Sequence, residues 1–156
     1  MKPSLYVEST VISYLTAKPS RDVVIAAHQQ ITRDWREISL TNYEPYVSQM
    51  VILEVEAGDK EAAAKRLEVI RGMSVLEIRS EDEQLAARYL KEIPLPEIAF
   101  RDAIHMAVAS ANGINYLVTW NCRHLARGEV RAGLLKVNDK LNIMTPEICT
   151  PEELMG

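Results

Sequence analysis

The sequence predicts an α/β fold, a three-layer α/β/α sandwich built around a short central parallel sheet. Short apolar segments alternate along the chain with longer segments in which apolar residues recur every three or four positions. Capping residues, glycines and prolines separate these segments. Strands that alternate with helices favour parallel pairing, because each parallel pair needs a crossover connection. The length of 156 residues fits one domain, so we expect residues 1–156 to form a single domain.

The first half of the chain predicts two strands and four helices. Leu5 to Val7 is a short buried strand, and Ser9 or Thr10 can cap the helix that follows it. Ser48 can cap a later helix, and Gly58 is well placed to end it. In chain order we expect a strand over 5–7, helices from about 10 to 15 and from about 22 to 38, a strand over 45–47, and helices over 49–57 and 59–71.

The second half predicts three more strands and two more helices. Ser80 with Glu83 three residues later has the pattern of a capping box, and Pro94 and Pro96 break the helix that it opens. Gly113 stops the next helix. In chain order we expect a strand over 75–78, helices from 80 to about 93 and over 100–111, a strand over 116–119, and a last strand near 142–144.

Composition excludes several classes of protein. Hydrophobic residues make up 47% of the chain, yet no apolar run approaches the roughly 20 residues that a membrane span needs. The start Met-Lys-Pro leads directly into a strand, which does not fit a signal peptide, so we expect a cytoplasmic protein. The two cysteines, Cys122 and Cys149, lie outside any CxxC or zinc-ligand spacing and are expected to be reduced thiols.

Charge is unevenly distributed. The net charge of −4 argues against binding nucleic acid over the whole surface. The stretch between residues 121 and 140 is locally basic, however, with Arg123, His124, Arg127, Arg131, Lys136 and Lys140 against Glu129 and Asp139.

Four polar residues follow predicted strands or lie within or near the starts of predicted helices: Glu8, Glu54, Asp102 and Asn121. Each has an ordinary explanation. Glu8 can be a negative charge at a helix N-terminus, Asp102 can be a helix cap, and Asn121 can be a turn residue. Their combination favours a ligand-binding site, because ligands of open α/β sheets bind beyond the carboxyl ends of the strands.

Two neighbouring residues refine this set. Glu54 lies in a helix that is apolar nearly all round, so its side chain either reaches an edge or faces a polar pocket. Glu56 is two residues further on, hence roughly on the opposite side, so we expect Glu54 and not Glu56 in a site. His105 is one turn after Asp102; it could hydrogen bond Asp102, although a histidine at such a position more often packs.

Carboxylates crowded into one pocket repel each other unless a cation neutralises them. Oxygen ligands without cysteine or paired histidines favour Mg²⁺ or Mn²⁺ over zinc. Metal-assisted hydrolysis of phosphodiesters is the chemistry that suits such a site.

Four motifs in order resemble the PIN-domain family, closest to its VapC-like toxins of type II toxin-antitoxin systems. They are Leu5–Leu15, Ser48–Glu54, Arg101–Ala107 and Leu117–Leu125. The resemblance covers nearly the whole chain. It implies a small PIN-like α/β/α domain that acts as a Mg²⁺- or Mn²⁺-dependent ribonuclease, is usually dimeric, and is held inactive by a cognate antitoxin protein.

The resemblance also implies roles for single residues. The family's hydroxyl position after the first acid falls on Thr10, and its threonine before the fourth position falls on Thr119. Its four acidic or polar positions fall, in order, on Glu8, Glu54, Asp102 and Asn121.

Two of these positions depart from the family pattern. Glu8 replaces the usual aspartate, and Asn121 replaces a carboxylate with a neutral amide. The mechanism that the resemblance implies has Glu8, Glu54 and Asp102 holding one cation, directly or through water. Asn121 would orient a water molecule, and Thr10 would fix that network.

RNA approaching an acidic pocket needs a basic rim. Arg123, Arg127 and Arg131 are spaced by four and could form one stripe beside the site, although Gly128 interrupts a helix there and a solvated charged face explains them equally well.

The main alternative is a PIN fold that lacks efficient metal binding and serves as a binding or scaffold module. A phosphotransfer enzyme of the haloacid-dehalogenase type would need a second aspartate where Thr10 stands. A receiver domain would need paired acids at the first strand and a lysine after a later strand, and the sequence has neither.

Overall fold

The computed structural model describes residues 1–96 and 99–156 and confirms the predicted α/β/α sandwich. Within these residues five strands form one parallel sheet in the order β3-β2-β1-β4-β5. The elements are β1 Ser4–Val7, α1 Ser9–Thr16, α2 Val23–Ile38, β2 Glu44–Ser48, α3 Gln49–Glu56, α4 Lys60–Ile70, β3 Ser74–Leu76, α5 Ser80–Glu92, α6 Phe100–Ala111, β4 Tyr116–Val118, α7 Gly128–Lys140 and β5 Glu147–Cys149, with 3₁₀ turns at Leu40–Asn42 and Glu152–Leu154.

The helices form two layers. Contacts among α1 to α4 and among α5 to α7 place the first four helices on one face of the sheet and the last three on the other. β1 lies at the centre, and its residues Leu5 to Val7 are at most 1% exposed. Burial on both faces is typical of a parallel strand between two helical layers.

The strand register aligns the ends of neighbouring strands. Val7 of β1 lies opposite Val118 of β4, and the Glu8 N–H donates to the Val118 carbonyl at 3.1 Å. The residues that follow β1 and β4 therefore begin at the same level. We call this end of the sheet the carboxyl edge.

Two predicted caps are wrong in detail. The cap of α1 is Glu8, whose carboxylate accepts the Thr10 N–H, because the longer acid side chain folds back over the first turn in place of a Ser9 or Thr10 hydroxyl. In α5 the carboxylate that accepts the backbone N–H of Arg79 is that of Asp82, not Glu83.

The predicted last strand over 142–144 is also wrong. Asn142 has a φ of 55° in the turn after α7, and the Ile143 N–H donates to the Asn138 carbonyl, so these residues finish the helix and do not pair with the sheet. The strand β5 comes after Pro146 and pairs with β4.

Among residues 1–96 and 99–156, no helix has both the length and the hydropathy that crossing a bilayer requires.

Candidate metal centre

Glu8 lies at the carboxyl edge directly after β1 and is 3% exposed. Its Oε1 accepts hydrogen bonds from the hydroxyls of Thr119, at 2.6 Å, and Thr10. Its Oε2 accepts the Ser9 hydroxyl at 2.9 Å and the Thr10 N–H at 3.2 Å. These four donors, together with the N-terminus of α1, compensate the buried charge and fix the carboxylate in place.

Glu54 reaches the same edge from α3 and is half-buried. Its Oε1 accepts the Nε2–H of His105 at 2.7 Å and lies 3.0 Å from the Ser9 hydroxyl. Ser9 therefore stands between the carboxylates of Glu8 and Glu54. Glu56 is exposed, which agrees with the expectation that it lies on the opposite side of α3 from Glu54.

His105 is fully buried and faces Glu54, not Asp102. The possible contact of His105 with Asp102 is not made, because α6 turns His105 inward towards β1 and α3, where the ring packs in the core as expected. On its other side, His105 Nδ1 lies 2.6 Å from the hydroxyl of Tyr6, which in turn lies 2.7 Å from Ser48 Oγ.

The pairing of His105 with Glu54 changes both groups. Burial acts to lower the pKa of His105, but the hydrogen bond to Glu54 and the charges of Glu54, Glu8 and Asp102 outweigh it, so the pKa is raised. Burial acts to raise the pKa of Glu54, but His105, the Ser9 hydroxyl and the charge of Arg101 outweigh it, so the pKa is lowered. Both shifts favour an imidazolium–carboxylate pair.

One potential ligand atom each from Glu8, Glu54 and His105 lies within 4.8 Å of the others. We call these three residues the inner group. In the part of the chain that the structure describes, this is the cluster whose carboxylate oxygens and imidazole nitrogen come close enough to share one cation.

Asp102 lies outside this cluster and is held by different partners. Asn121 Nδ2 donates to its Oδ1 at 3.1 Å, and His124 Nδ1 lies 2.6 Å from its Oδ2. The His124 N–H also donates to Asn121 Oδ1 at 3.1 Å. We call Asp102, Asn121 and His124 the outer group.

Thr119 joins the two groups. Its hydroxyl donates to Glu8 and accepts the Asn121 N–H at 2.9 Å. Thr10 holds the residue before Asn121 in a similar way, since its hydroxyl donates to Glu8 and accepts the Trp120 N–H at 2.9 Å. The four sequence-predicted positions thus lie along one continuous hydrogen-bonded edge, although the structure separates Asp102 from the inner group.

The three arginines of the predicted basic rim do not share one helix, because the helix begins only at Gly128. Arg123 is exposed in the segment before α7, and Arg127 precedes the first residue of α7, where it pairs with Glu129 at 2.9 Å. Arg131 donates to the Ile148 carbonyl at 3.3 Å. A different cation, the exposed Arg101, is near enough to act on the pKa of Glu54.

Several of these contributors carried a signal in the sequence. Ser9 and Thr119 are hydroxyl residues next to the strand ends, and His124 follows Asn121 by three residues. Tyr6 stands inside a buried strand, where its hydroxyl must find a partner. The partners themselves depend on the packing of α3 and α6, which the pattern does not show.

Solved structures with the same fold include toxins and toxin-antitoxin complexes. A toxin-antitoxin complex from Klebsiella pneumoniae matches with a TM-score of 0.60 and 14% identity over 95% of this chain and 98% of the other. VapC20 from Mycobacterium tuberculosis, a toxin that cleaves the sarcin-ricin loop, matches with a TM-score of 0.55 and 18% identity over 73% of this chain and 87% of the other. VapBC2 from Rickettsia felis, bound to a DNA fragment from its promoter, matches with a TM-score of 0.52 and 12% identity over 94% of this chain and 97% of the other.

At these identities the likeness shows the fold. A comparison with curated proteins finds no match. The model of the PIN domain matches residues 5–142, which contain all of β1 but its first residue, β2 to β4, and both groups of the carboxyl edge. The chain therefore belongs to the PIN-domain family.

Proposed function

We propose that this protein is a Mg²⁺- or Mn²⁺-dependent ribonuclease that hydrolyses RNA phosphodiester bonds, and that it is the toxin of a toxin-antitoxin pair. The observation that carries the proposal is the inner group, in which the carboxylates of Glu8 and Glu54 meet beside the buried His105, with one potential ligand atom from each residue within 4.8 Å of the others. Its place at the carboxyl edge agrees with where parallel α/β sheets hold their ligands.

The donor set fits a hard divalent ion. Carboxylate oxygens are the ligands that Mg²⁺ and Mn²⁺ prefer, and His105 orients one of these carboxylates, that of Glu54, through its Nε2–H. In this proposal Glu8 and Glu54 hold the ion directly and Asp102 holds it through water. A bound ion would neutralise charge on the scissile phosphate and lower the pKa of a coordinated water.

The remaining residues of the edge orient these ligands. The hydroxyls of Thr10 and Thr119 both hold Oε1 of Glu8. The Ser9 hydroxyl lies near the carboxylates of both Glu8 and Glu54 but has only one proton to donate. We therefore expect the contacts of Ser9 to break when a cation enters. Asn121 orients Asp102 through its amide.

Arginine side chains would steer the RNA. Arg101 and Arg123 are exposed beside the edge and have the charge to meet phosphates, while Arg127 and Arg131 would add to the basic rim beyond their present contacts.

The proposal includes a protein partner. The Klebsiella and Rickettsia neighbours are toxin-antitoxin assemblies, and on that likeness we expect an antitoxin protein to bind this chain and silence it. We further expect a homodimer that acts in the cytoplasm.

A second candidate is a PIN fold that binds partners without catalysis. It is favoured by the four donors that already saturate Glu8 and by the neutral amide of Asn121. A carboxylate that is satisfied by protein donors has less to gain from a cation.

Calorimetric titration with Mn²⁺ separates the two candidates. The nuclease proposal expects a binding event in the wild type that Asp102→Ala weakens or loses, whereas the scaffold expects no heat in either. RNA cleavage should be abolished by Glu54→Gln and kept by the matched control Glu56→Gln, an exposed acid on the same helix. Equal rates for Glu54→Gln and wild type would remove Glu54 from the site.

A further inference from the structure

A chain of buried hydrogen bonds runs from the inner group into the core. His105 Nε2 lies 2.7 Å from Glu54, His105 Nδ1 lies 2.6 Å from the Tyr6 hydroxyl, and that hydroxyl lies 2.7 Å from Ser48 Oγ. Tyr6, Ser48 and His105 are each 0% exposed. The four residues come from β1, β2, α3 and α6, so the chain ties four elements to one carboxylate.

The hydroxyl of Tyr6 needs an explanation, because packing alone does not require it. Phenylalanine would fill the same buried space in β1 without a polar group to satisfy. The tyrosine hydroxyl instead meets two partners, His105 and Ser48, at short distances. Since both ring nitrogens of His105 are engaged, the ring has one orientation, with Nε2 towards Glu54.

The chain of hydrogen bonds also connects back to Glu54 through α3. Ser48 caps this helix by accepting the Val51 N–H at 3.3 Å, and the same helix carries Glu54. The position of Glu54 relative to β1 is therefore fixed twice, once through the cap at Ser48 and once through His105. Because β1 ends at Glu8, the same contacts set the separation of Glu8 and Glu54.

We propose that Tyr6 and Ser48 are positioning residues of the site, which act through His105 to hold the Glu54 carboxylate towards Glu8. Their effect on metal binding and catalysis rests on the proposed function. Their effect on the His105 ring does not, and it can be measured without metal or RNA. Partners that orient a metal ligand in this way typically change metal affinity or activity by about 10- to 100-fold when they are lost.

The test compares Tyr6→Phe with Tyr89→Phe. Tyr89 is a matched control, because it is also fully buried and its hydroxyl donates to a buried side chain, Asn138 of α7, away from the carboxyl edge. Both variants lose one buried hydroxyl. We expect Tyr6→Phe to shift the ¹⁵N resonances of both His105 ring nitrogens and to lower Mn²⁺ affinity about 10-fold or more, and we expect Tyr89→Phe to change neither.

A second pair covers the case in which Tyr6→Phe does not fold. Ser48→Ala removes the cap of α3 together with the contact to Tyr6, whereas Asp59→Ala removes only the cap of α4. We expect the His105 resonances to shift in Ser48→Ala and to remain unchanged in Asp59→Ala.

The outcomes separate the two proposals. Unchanged His105 resonances in Tyr6→Phe or Ser48→Ala, or equal shifts in a variant and its control, would overturn the positioning role. If the wild type neither binds Mn²⁺ nor cleaves RNA, the proposed function fails, and the resonance of His105 Nε2, the nitrogen that faces Glu54, still decides whether Tyr6 and Ser48 orient this ring. If the wild type binds Mn²⁺ and Tyr6→Phe binds it equally well, the positioning role in metal binding is overturned while the nuclease proposal stands.

Discussion

The inner and outer groups use similar side chains but are held in different ways. Glu8 and His105 of the inner group are almost wholly buried and are held by hydroxyls and backbone from β1 and α1 and by Thr119, directly after β4. Asp102 of the outer group is held by Asn121 and His124, which lie on the segment after β4. The inner group is therefore held mainly from within the core, whereas the outer group is held by half-buried side chains outside it.

The largest expected difference between the groups is in stability. Glu8→Ala removes a helix cap and leaves the buried hydroxyl of Thr119 without its acceptor, so we expect unfolding free energy to fall by about 2–4 kcal/mol. Asp102→Ala should lower the unfolding free energy by no more than about 1 kcal/mol, because Asn121 and His124 can form hydrogen bonds with water instead. Urea unfolding without metal measures both. A larger loss for Asp102→Ala would reverse the comparison.

The next effect concerns Thr119, which joins the groups. Thr119→Val keeps the shape of the side chain and removes the hydroxyl that contacts Glu8 and Asn121. We expect about a tenfold loss of Mn²⁺ affinity, because both groups lose alignment at once. Calorimetry checks this, and an unchanged affinity would mean that the two groups act independently.

A smaller effect is a pH dependence confined to the inner group. The raised pKa of His105 contributes stability that is fully present below its unfolded value of about 6.5 and is lost as pH rises through the folded pKa. The lowered pKa of Glu54 contributes stability that is lost as pH falls through the folded pKa. Without metal, the stability difference between wild type and His105→Gln should therefore shrink as the pH rises above about 6.5 and through the folded pKa of His105. A difference that grows with pH would contradict the imidazolium–carboxylate pair.

The smallest expected effect is at the rim. Arg101→Ala should weaken RNA binding by a few-fold and reduce the slope of log affinity against log salt, because one phosphate contact is lost. Filter binding at several salt concentrations measures it, with Arg71→Ala, an exposed arginine in the segment before β3, as a control. Equal salt slopes in the two variants would remove Arg101 from the RNA path.

The sequence predicted the parts of the site that follow from topology. Glu8 and Asn121 come after strands, and parallel strands end at one edge, so their convergence needs no side-chain detail. Glu54 was predictable because an acid in an apolar helix needs a polar surrounding, which Ser9 and His105 provide.

Other parts were not predictable, because they depend on how each helix is rotated and where each chain reversal falls. The partner of His105 is decided by the packing of α6 against β1 and α3, and spacing along α6 only allowed a contact with Asp102 without deciding it. The segment 142–144 has apolar residues typical of a strand, but Asn142 turns the chain and delays pairing until β5.

The cation can be located in a crystal structure soaked in Mn²⁺, with anomalous scattering recorded. We expect an anomalous peak in contact with both Glu8 and Glu54. No peak at a concentration that saturates the calorimetric signal, or a single peak at Asp102 and His124 without contact to the inner group, would contradict it.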